Sequence, residues 1–327
     1  MEWKDKSVLI TGATGLVGFW LTEALLEKGA SICCLVRDRD AFFEKTYDGR
    51  VSIVSGTLEL ETIERALCEY EVDTVFHLAA QTLVGIAKRA PLLTFESNVR
   101  GSYLLFEACR RQARYLRSIV VASSDKAYGT APLPYTERVP LRGEFPYDVS
   151  KTCTDLIAQS YVHTYDLPLN VLRCGNIYGG FDQNWSRIVP GTIRSVLENK
   201  SPLIRSDGSF VRDYFYVKDA ANAYIAVAES ERRGEAFNFG SEAPCTVLTI
   251  TKKILKLMDS DLEPVILDEA KAEIQEQYLC CKKAHEMLNW EPKFSLDEGL
   301  EETIEWYKSH KDAFERCETY RAVASLR

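Results

Sequence analysis

The sequence predicts an α/β fold: a doubly wound parallel sheet with a smaller C-terminal α/β domain that binds the substrate. In the first half of the 327-residue chain, short apolar or β-branched runs alternate with longer stretches of helical pattern. This order is typical of a parallel sheet with helices on both faces. A glycine-rich turn follows the first apolar run directly and opens the first helical stretch. After Gly175 the alternation breaks, which indicates a second domain.

The elements are expected in the following order along the chain. Strands are predicted over residues 7–11, 31–36, 51–55, 74–78, 118–122 and 170–173. Helices are predicted over residues 17–28, 60–70, 91–111 and 149–164, and in the second half over 188–197, 217–229 and the amphipathic stretch 295–308. The dinucleotide-binding domain is expected over residues 1–174, with part of 213–245 joining it. The second domain is expected over residues 175–327.

Composition excludes several classes of function. Apolar residues make up 46% of the chain, and 40 basic residues against 48 acidic ones give a net charge of -8 without any basic block. This disfavours nucleic-acid binding. No apolar run approaches the roughly 18 residues of a membrane span, and the first residues carry no leader signature, so a cytoplasmic protein is expected. Ten cysteines without a C-x-x-C pair and four scattered histidines predict reduced thiols and no metal site.

The turn from Thr11 to Gly18 has the features of a phosphate-binding site. Glycine at the first position permits the tight turn, the second lets the backbone approach a pyrophosphate, and the third lets helix and strand pack closely. The helix N-terminus then offers unpaired N–H groups to the anion. The turn therefore predicts a Rossmann-type fold and a dinucleotide cofactor, bound by Gly12, Thr14, Gly15, Leu16, Val17 and Gly18.

Two residues after the second predicted strand bear on the choice of dinucleotide. Asp38 lies 20 residues after Gly18, where an acidic side chain usually accepts a hydrogen bond from the ribose 2′-OH and disfavours a 2′-phosphate. Arg37 beside it could instead pair with the phosphate of NADP. The sequence favours NAD and leaves NADP open.

Tyr147 and Lys151 are the expected reacting pair. They stand at i and i+4, so they share one face of a helix. A nearby lysine and an oxidised nicotinamide would favour the tyrosine phenolate and make it a base. The chain has four Tyr/Lys pairs at this spacing, and this pair alone follows a strand that ends in Ser123, Ser124, Asp125 and Lys126.

At this point the sequence resembles the extended short-chain dehydrogenases/reductases, in their nucleotide-sugar epimerase and dehydratase branch. The resemblance covers nearly the whole chain. Its matching pieces, in order, are residues 11–18, 77–81, 98–101, 123–129, 147–151, 176–179 and 212–214, followed by Gly299-Leu300 and residues 305–307.

The resemblance implies roles for individual residues. Ser124, Tyr147 and Lys151 match the family's catalytic Ser/Thr, Tyr and Lys, and Lys151 also holds the nicotinamide ribose. Further cofactor contacts are implied for Thr57, Leu58, Leu78, Ala79 and Ala80. Contacts with a nucleoside-diphosphate sugar are implied for Gln81, Ser124, Asn176, Arg187 and Arg212. The family's dimer would pair helices 91–111 and 149–164 with those of a second copy.

Asp125 and Lys126 bear on the choice of reaction. A 4,6-dehydratase needs an acid at O6 and a base at C5, which a C4 epimerase does not need. In the resembling dehydratases, Asp125 matches the acid and Lys126 stands where the base lies, and the Asp-Lys version is most similar to CDP-glucose 4,6-dehydratases. The sequence therefore predicts an NAD-dependent dehydratase. The alternatives are a nucleotide-sugar 4-epimerase and, more remotely, a non-catalytic dinucleotide sensor.

Overall fold

The computed structural model describes residues 2–269 and 274–310. The helices in this part of the chain are α1 (Leu16–Glu27), α2 (Ala41–Thr46), α3 (Leu60–Glu69), α4 (Val84–Arg89), α5 (Pro91–Phe95), α6 (Gly101–Arg111), α7 (Pro146–Tyr165), α8 (Ile188–Leu197), α9 (Val217–Glu229), α10 (Val247–Leu257), α11 (Lys282–Leu288) and α12 (Leu296–Ser309). The strands are β1 (Ser7–Thr11), β2 (Ser31–Val36), β3 (Ser52–Ser55), β4 (Thr74–His77), β5 (Ser118–Ala122), β6 (Leu169–Cys174), β7 (Asn176–Tyr178), β8 (Leu203–Ile204), β9 (Val211–Arg212), β10 (Tyr214–Tyr216), β11 (Ala236–Phe239), β12 (Cys245–Thr246), β13 (Val265–Ile266) and β14 (Glu276–Gln277).

Seven strands form one parallel sheet in the order β11-β6-β5-β4-β1-β2-β3. Alternate residues of a strand point to opposite faces. Accordingly, Val8 and Ile10 of β1 belong to one buried cluster with α1 and α9, whereas Leu9 belongs to another with α3, α6 and α7. The predicted doubly wound α/β sheet is confirmed. The strand order reverses between β1 and β4, and ligands of such sheets bind beside that point at the carboxyl ends of the strands.

The second half of the chain builds smaller sheets beside the main one. β7 pairs with β10, β9 lies between β12 and β14, and β8 pairs with β13. A third buried cluster joins β7 and β10 to α8, α10 and α12. β11 is the exception, because it extends the main sheet although it follows residue 175. The expected division of the chain at residue 174 stays a prediction.

The predicted helix 91–111 is interrupted in the structure. Between α5 and α6, residues Glu96–Arg100 form one π-helical turn. Asn98 lies in this turn, and its side-chain amide bonds to the backbone N–H and carbonyl of Gln81 and to the Ser150 hydroxyl on α7. A wide turn of this kind is typical where a side chain has a specific partner to reach. Helical periodicity alone does not reveal it.

Helix α7 begins three residues earlier than the sequence predicts. Pro146 stands in its first turn, where the N–H that proline lacks would have no helical partner in any case. Tyr147 therefore lies in the first turn and Lys151 in the second. Within residues 2–269 and 274–310, no helix combines the length and apolar content that a membrane span requires.

Candidate active site

The turn between β1 and α1 is closed by glycine at two positions. Gly12 has a φ of +76°, and a Cβ there would lie 2.6 Å from the backbone nitrogen of Ala79. A Cβ at Gly18 would overlap the Gly12 carbonyl oxygen. Gly15 forms the N-cap of α1 without a side-chain hydrogen bond, so the first N–H groups of the helix stay available to an anion. The backbone therefore fits a pyrophosphate as the sequence predicts.

The residues after β4 lie against this turn. The backbone N–H groups of Leu78 and Ala79 donate to the carbonyl and hydroxyl oxygens of Thr11. The same hydroxyl bonds to His77 Nδ1 at 2.7 Å, and His77 Nε2 bonds to the Ser102 hydroxyl at 2.9 Å. Burial lowers the pKa of His77 to about 3, so the ring is neutral. His77 thus links the glycine turn to α6 without placing a charge beneath the cofactor site.

The predicted adenosine-side residues follow β2 and β3 at the same edge of the sheet. Arg37 Nε donates to Asp38 Oδ2 at 2.7 Å, and both side chains are exposed. This ion pair uses only the Nε–H of the guanidinium, so it does not decide between NAD and NADP. Leu58 packs against Gly101, where a Cβ would meet its side chain at 2.7 Å, and Thr57 precedes it in the same loop.

The reacting centre begins where β5 ends. Ser124 caps a single 3-10 helical turn, Asp125–Tyr128, and its hydroxyl accepts from the Lys126 N–H at 3.2 Å. The same hydroxyl donates to Asp125 Oδ1 at 2.9 Å. Adjacent residues of a regular strand would point to opposite faces. The turn removes this constraint, which is the condition for both side chains to serve one sugar ring.

Tyr147 and Lys151 lie buried on one side of α7. Burial raises the pKa of Tyr147 to about 12, while the charge of Arg187 and a hydrogen bond with Ser124 act against that rise. Burial lowers the pKa of Lys151 to about 8, and its Nζ donates to the Ala122 carbonyl at 2.8 Å. The charge of Arg187 therefore favours the Tyr147 phenolate in this structure, and the effect expected of Lys151 together with an oxidised nicotinamide stays a prediction.

The predicted substrate residues differ in what they contact. Arg187, at the start of α8, donates to Asp182 at 3.1 Å and lies close enough to lower the pKa of Tyr147. The Gln81 amide bonds at both ends to the backbone of Leu83, so it stabilises its own loop. The backbone N–H of Asn176 on β7 donates to the Asp213 carbonyl at 2.9 Å.

Arg212 is held by backbone carbonyls. Its guanidinium donates to the carbonyl oxygens of Val211, Ile274 and Gln275 at 2.8, 2.7 and 2.9 Å. The side chain is buried and also lies over the Phe210 ring. In this structure Arg212 therefore anchors the segment before β14, in addition to being a predicted phosphate ligand.

Two further residues belong to this site but were not predicted. Asp148 is buried beside Tyr147, and burial raises its pKa to about 6, against the opposing charge of Lys126. Its position next to Tyr147 was a signal available in the sequence. Gln277 on β14 accepts a hydrogen bond from Lys126 Nζ at 3.1 Å. Because 151 residues separate these partners, sequence spacing gave no signal for the contact.

Comparison with known proteins agrees with this geometry. The chain is similar to the CDP-glucose 4,6-dehydratase of Salmonella typhimurium, with 31% identity over 94% of this chain and 92% of that protein. It is also similar to a crystal structure of dTDP-glucose 4,6-dehydratase from Bacillus anthracis in complex with NAD, with a TM-score of 0.86, 26% identity, and coverage of 95% of this chain and 99% of that one.

A UDP-glucose 4-epimerase from Thermotoga maritima, solved with UDP-glucose, is similar as well. Its TM-score is 0.86 at 28% identity, over 93% of this chain and 99% of that one. Residues 8–240 match the profile of the NAD dependent epimerase/dehydratase family. This match confirms NAD as the predicted cofactor. With a glycine turn shaped for a pyrophosphate, Ser124 after β5, and Tyr147 and Lys151 on α7, the chain belongs to the NAD dependent epimerase/dehydratase family.

Proposed function

We propose that this chain is an NAD-dependent 4,6-dehydratase that converts a nucleoside-diphosphate hexose to its 4-keto-6-deoxy product. The observation that carries the proposal is the placement of Asp125 and Lys126 on one turn, directly after Ser124. A 4-epimerase changes only C4 and needs neither group. A dehydratase must also remove the C5 proton and expel the C6 hydroxyl, which requires an additional acid and base.

The chain's own residues fit the cofactor. The glycine turn would hold the pyrophosphate, Leu78 and Ala79 would lie beside it, and Lys151 would hold the nicotinamide ribose. When bound, NAD would supply a hydride acceptor for C4 of the sugar and a hydride donor for C6, so none would be consumed. Asp38 after β2 supports NAD over NADP, because a carboxylate there can accept from a ribose 2′-OH and repels a 2′-phosphate.

Each proton has an assigned group. Tyr147 takes the proton of the C4 hydroxyl while the C4–H bond breaks. Lys126, as a neutral amine, takes the C5 proton, and Asp125 gives a proton to the C6 hydroxyl, which leaves as water. Lys126 then returns its proton to C5. The proton on Tyr147 restores Asp125 through the Ser124 hydroxyl, which donates to Asp125 and lowers the pKa of Tyr147.

The substrate's diphosphate is assigned to basic residues outside the first 174 residues. Arg187 is the first candidate, since a guanidinium can donate bidentate hydrogen bonds to phosphate oxygens. Arg212 already donates to three backbone carbonyls and stays a predicted ligand, as does Asn176 on β7. The relative at 31% identity acts, by its name, on CDP-glucose. CDP-glucose is therefore the first substrate to test, followed by dTDP-glucose, UDP-glucose and GDP-mannose.

The test is mass spectrometry of each sugar nucleotide after incubation with NAD and the purified protein. A dehydratase removes one water from its substrate. An unchanged mass with a new sugar isomer would instead identify a 4-epimerase. NAD binding without conversion of any of the four would contradict the proposal and favour the sensor.

Substitution of the two additional groups separates dehydratase from epimerase. We expect Lys126→Met and Asp125→Asn each to slow dehydration roughly 100-fold or more, because proton transfer by a positioned side chain contributes about that much. NAD affinity, measured by calorimetry, should stay unchanged. Glu276→Leu, at an exposed position of β14, is the control. Full turnover in both active-site variants would show that neither group acts in the reaction.

We also propose that two copies pair through α5, α6 and α7. Leu92 and Leu93 on α5 are 70% and 67% exposed, and Tyr103 on α6 and Leu156 on α7 are 39% and 51% exposed. Apolar side chains exposed together on packed helices are typical of a protein interface. The occupant proposed for this surface is a second copy of the chain. The predicted cytoplasmic location stays a prediction.

A further inference from the structure

We propose that Gln277 is a positioning residue that holds the Lys126 amine in place for proton transfer at C5. The proposal rests on the dehydratase function given above. Gln277 lies on β14, far along the chain from the predicted catalytic residues. Proton transfer at C5 of the sugar would therefore depend on that strand.

The contact itself is specific. Lys126 Nζ donates to Gln277 Oε1 at 3.1 Å, and Gln277 is fully buried. The Gln277 side chain also lies beside the Tyr135 hydroxyl, and a hydrogen bond from it opposes the rise in the Tyr135 pKa. Buried polar groups in native structures usually have specific partners. Strand pairing of β14 uses only backbone groups, so the side chain is available to hold Lys126.

A neutral acceptor suits a lysine that must lose and regain a proton. Lysine has a long flexible side chain, so a single hydrogen bond to a buried group selects one orientation of the amine. An amide oxygen accepts that hydrogen bond without adding charge. A carboxylate in its place would stabilise the ammonium form, which cannot accept a proton. Asp148 on α7 is a charged group near Lys126, and Asp125 is its neighbour on the same turn. On β14 the exposed Glu276 is charged, but the residue that contacts Lys126 is the neutral amide of Gln277.

The same segment also contacts the predicted diphosphate ligand. Gln277 pairs with Arg212 in the register of β14 and β9, and Arg212 donates to the carbonyl oxygens of Ile274 and Gln275. The carbonyls of Ile274 and Gln275 and the side chain of Gln277 therefore lie between a group that would bind the phosphates and a group that would act on the sugar ring, whereas the Glu276 side chain is exposed. We infer that the hydrogen bonds of Arg212 to this segment fix the position of Gln277. Gln277 in turn fixes the position of the Lys126 amine.

The first test uses Gln277→Leu, which keeps the size of the side chain and removes the acceptor. In wild-type enzyme that dehydrates its substrate in ²H₂O, C5 of the product acquires deuterium. We expect Gln277→Leu to lower kcat and the rate of C5 labelling together by about 10- to 100-fold, with KM, NAD affinity and melting temperature close to wild type. Glu276→Leu, one residue earlier and exposed, should leave all of these quantities unchanged.

The second test is the pH profile of Gln277→Glu. Because its carboxylate would favour the Lys126 ammonium, dehydration should regain its wild-type rate only at higher pH. An unchanged kcat and pH profile in both variants would overturn the proposal. So would a parallel loss of activity, NAD affinity and thermal stability in Gln277→Leu, since that would assign a structural role. Failure of the wild-type protein to dehydrate any substrate would instead contradict the function, before the variants are compared.

Discussion

Asp148 carries a stability cost that depends on pH. Its pKa rises from the ordinary value of 3.8 to about 6 in the folded chain, chiefly because the carboxyl is buried. A raised pKa means that the folded state binds the proton more tightly than the unfolded state. The stabilisation due to protonated Asp148 is therefore complete below pH 3.8 and is lost as the pH rises through 6.

We expect Asp148→Asn to remove this pH dependence. A difference of one pKa unit corresponds to about 1.4 kcal/mol. Relative to wild type, the substitution should therefore raise the free energy of unfolding by about 1 kcal/mol more at pH 8 than at pH 5. Urea unfolding at both pH values measures the difference. Asp48→Asn, at an exposed position, should show no such difference. An equal effect of Asp148→Asn at the two pH values would contradict the assignment.

At the scale of elements, one buried ion pair joins β6 to α7. Arg173 Nε and Nη2 donate to the two carboxylate oxygens of Asp155 at 2.8 and 3.0 Å, and both residues are buried. Arg173 Nη1 also donates to the Tyr128 hydroxyl, which donates in turn to Asn238 on β11. The network therefore ties the catalytic helix and the turn after Ser124 to two strands of the sheet.

Breaking this pair from one side should be costly. Arg173→Met leaves the Asp155 carboxylate buried without its partner, and we expect a loss of about 3–5 kcal/mol in the free energy of unfolding. The double variant Arg173→Met with Asp155→Leu should recover much of that loss, because no isolated charge remains. Chemical denaturation of both variants provides the comparison. A double variant as unstable as Arg173→Met would show that the carboxylate is not the source of the loss.

The same elements show how far the sequence could predict the site. Strand alternation and the glycine spacing are local patterns, so the sheet and the turn from Gly12 to Gly18 were predictable. The 3-10 turn after Ser124 and the π turn at Asn98 depend on partners elsewhere in the fold. The contact of Lys126 with Gln277 arises only when β14 pairs with β9, so no short-range pattern could indicate it.

At the scale of the whole molecule, the strand order brings the site together. β1 and β4 are neighbours where the order reverses, so the glycine turn and the residues after His77 meet at one edge. β5 lies next to β4, and Ser124 follows it at the same edge of the sheet. Tyr147 lies in the first turn of α7. Arg187, Arg212 and Gln277 then come from the second half of the chain. The predicted cofactor contacts therefore come from the first half of the sequence, whereas the predicted substrate contacts come from both halves, Gln81 and Ser124 from the first and Asn176, Arg187 and Arg212 from the second.

The proposed dimer uses the exposed apolar residues of α5, α6 and α7, and α7 also carries Tyr147 and Lys151. Lys151 is buried, while Leu156 on the same helix is 51% exposed, and α7 packs against α5. We expect wild-type protein to be dimeric in light scattering after size exclusion, and the double variant Leu93→Lys with Leu156→Lys to be monomeric at the same concentration, because two lysines per copy would meet their counterparts across the interface.

Leu203→Lys is the matched control for the dimer. Leu203 is 59% exposed but lies on β8, outside these helices, so its variant should remain dimeric. Because α7 also carries Tyr147, the monomeric variant should be less active than wild type at the same concentration, whereas the Leu203 variant should match wild type. A monomeric wild type, or an unchanged dimer in the double variant, would show that this surface does not pair two copies of the chain.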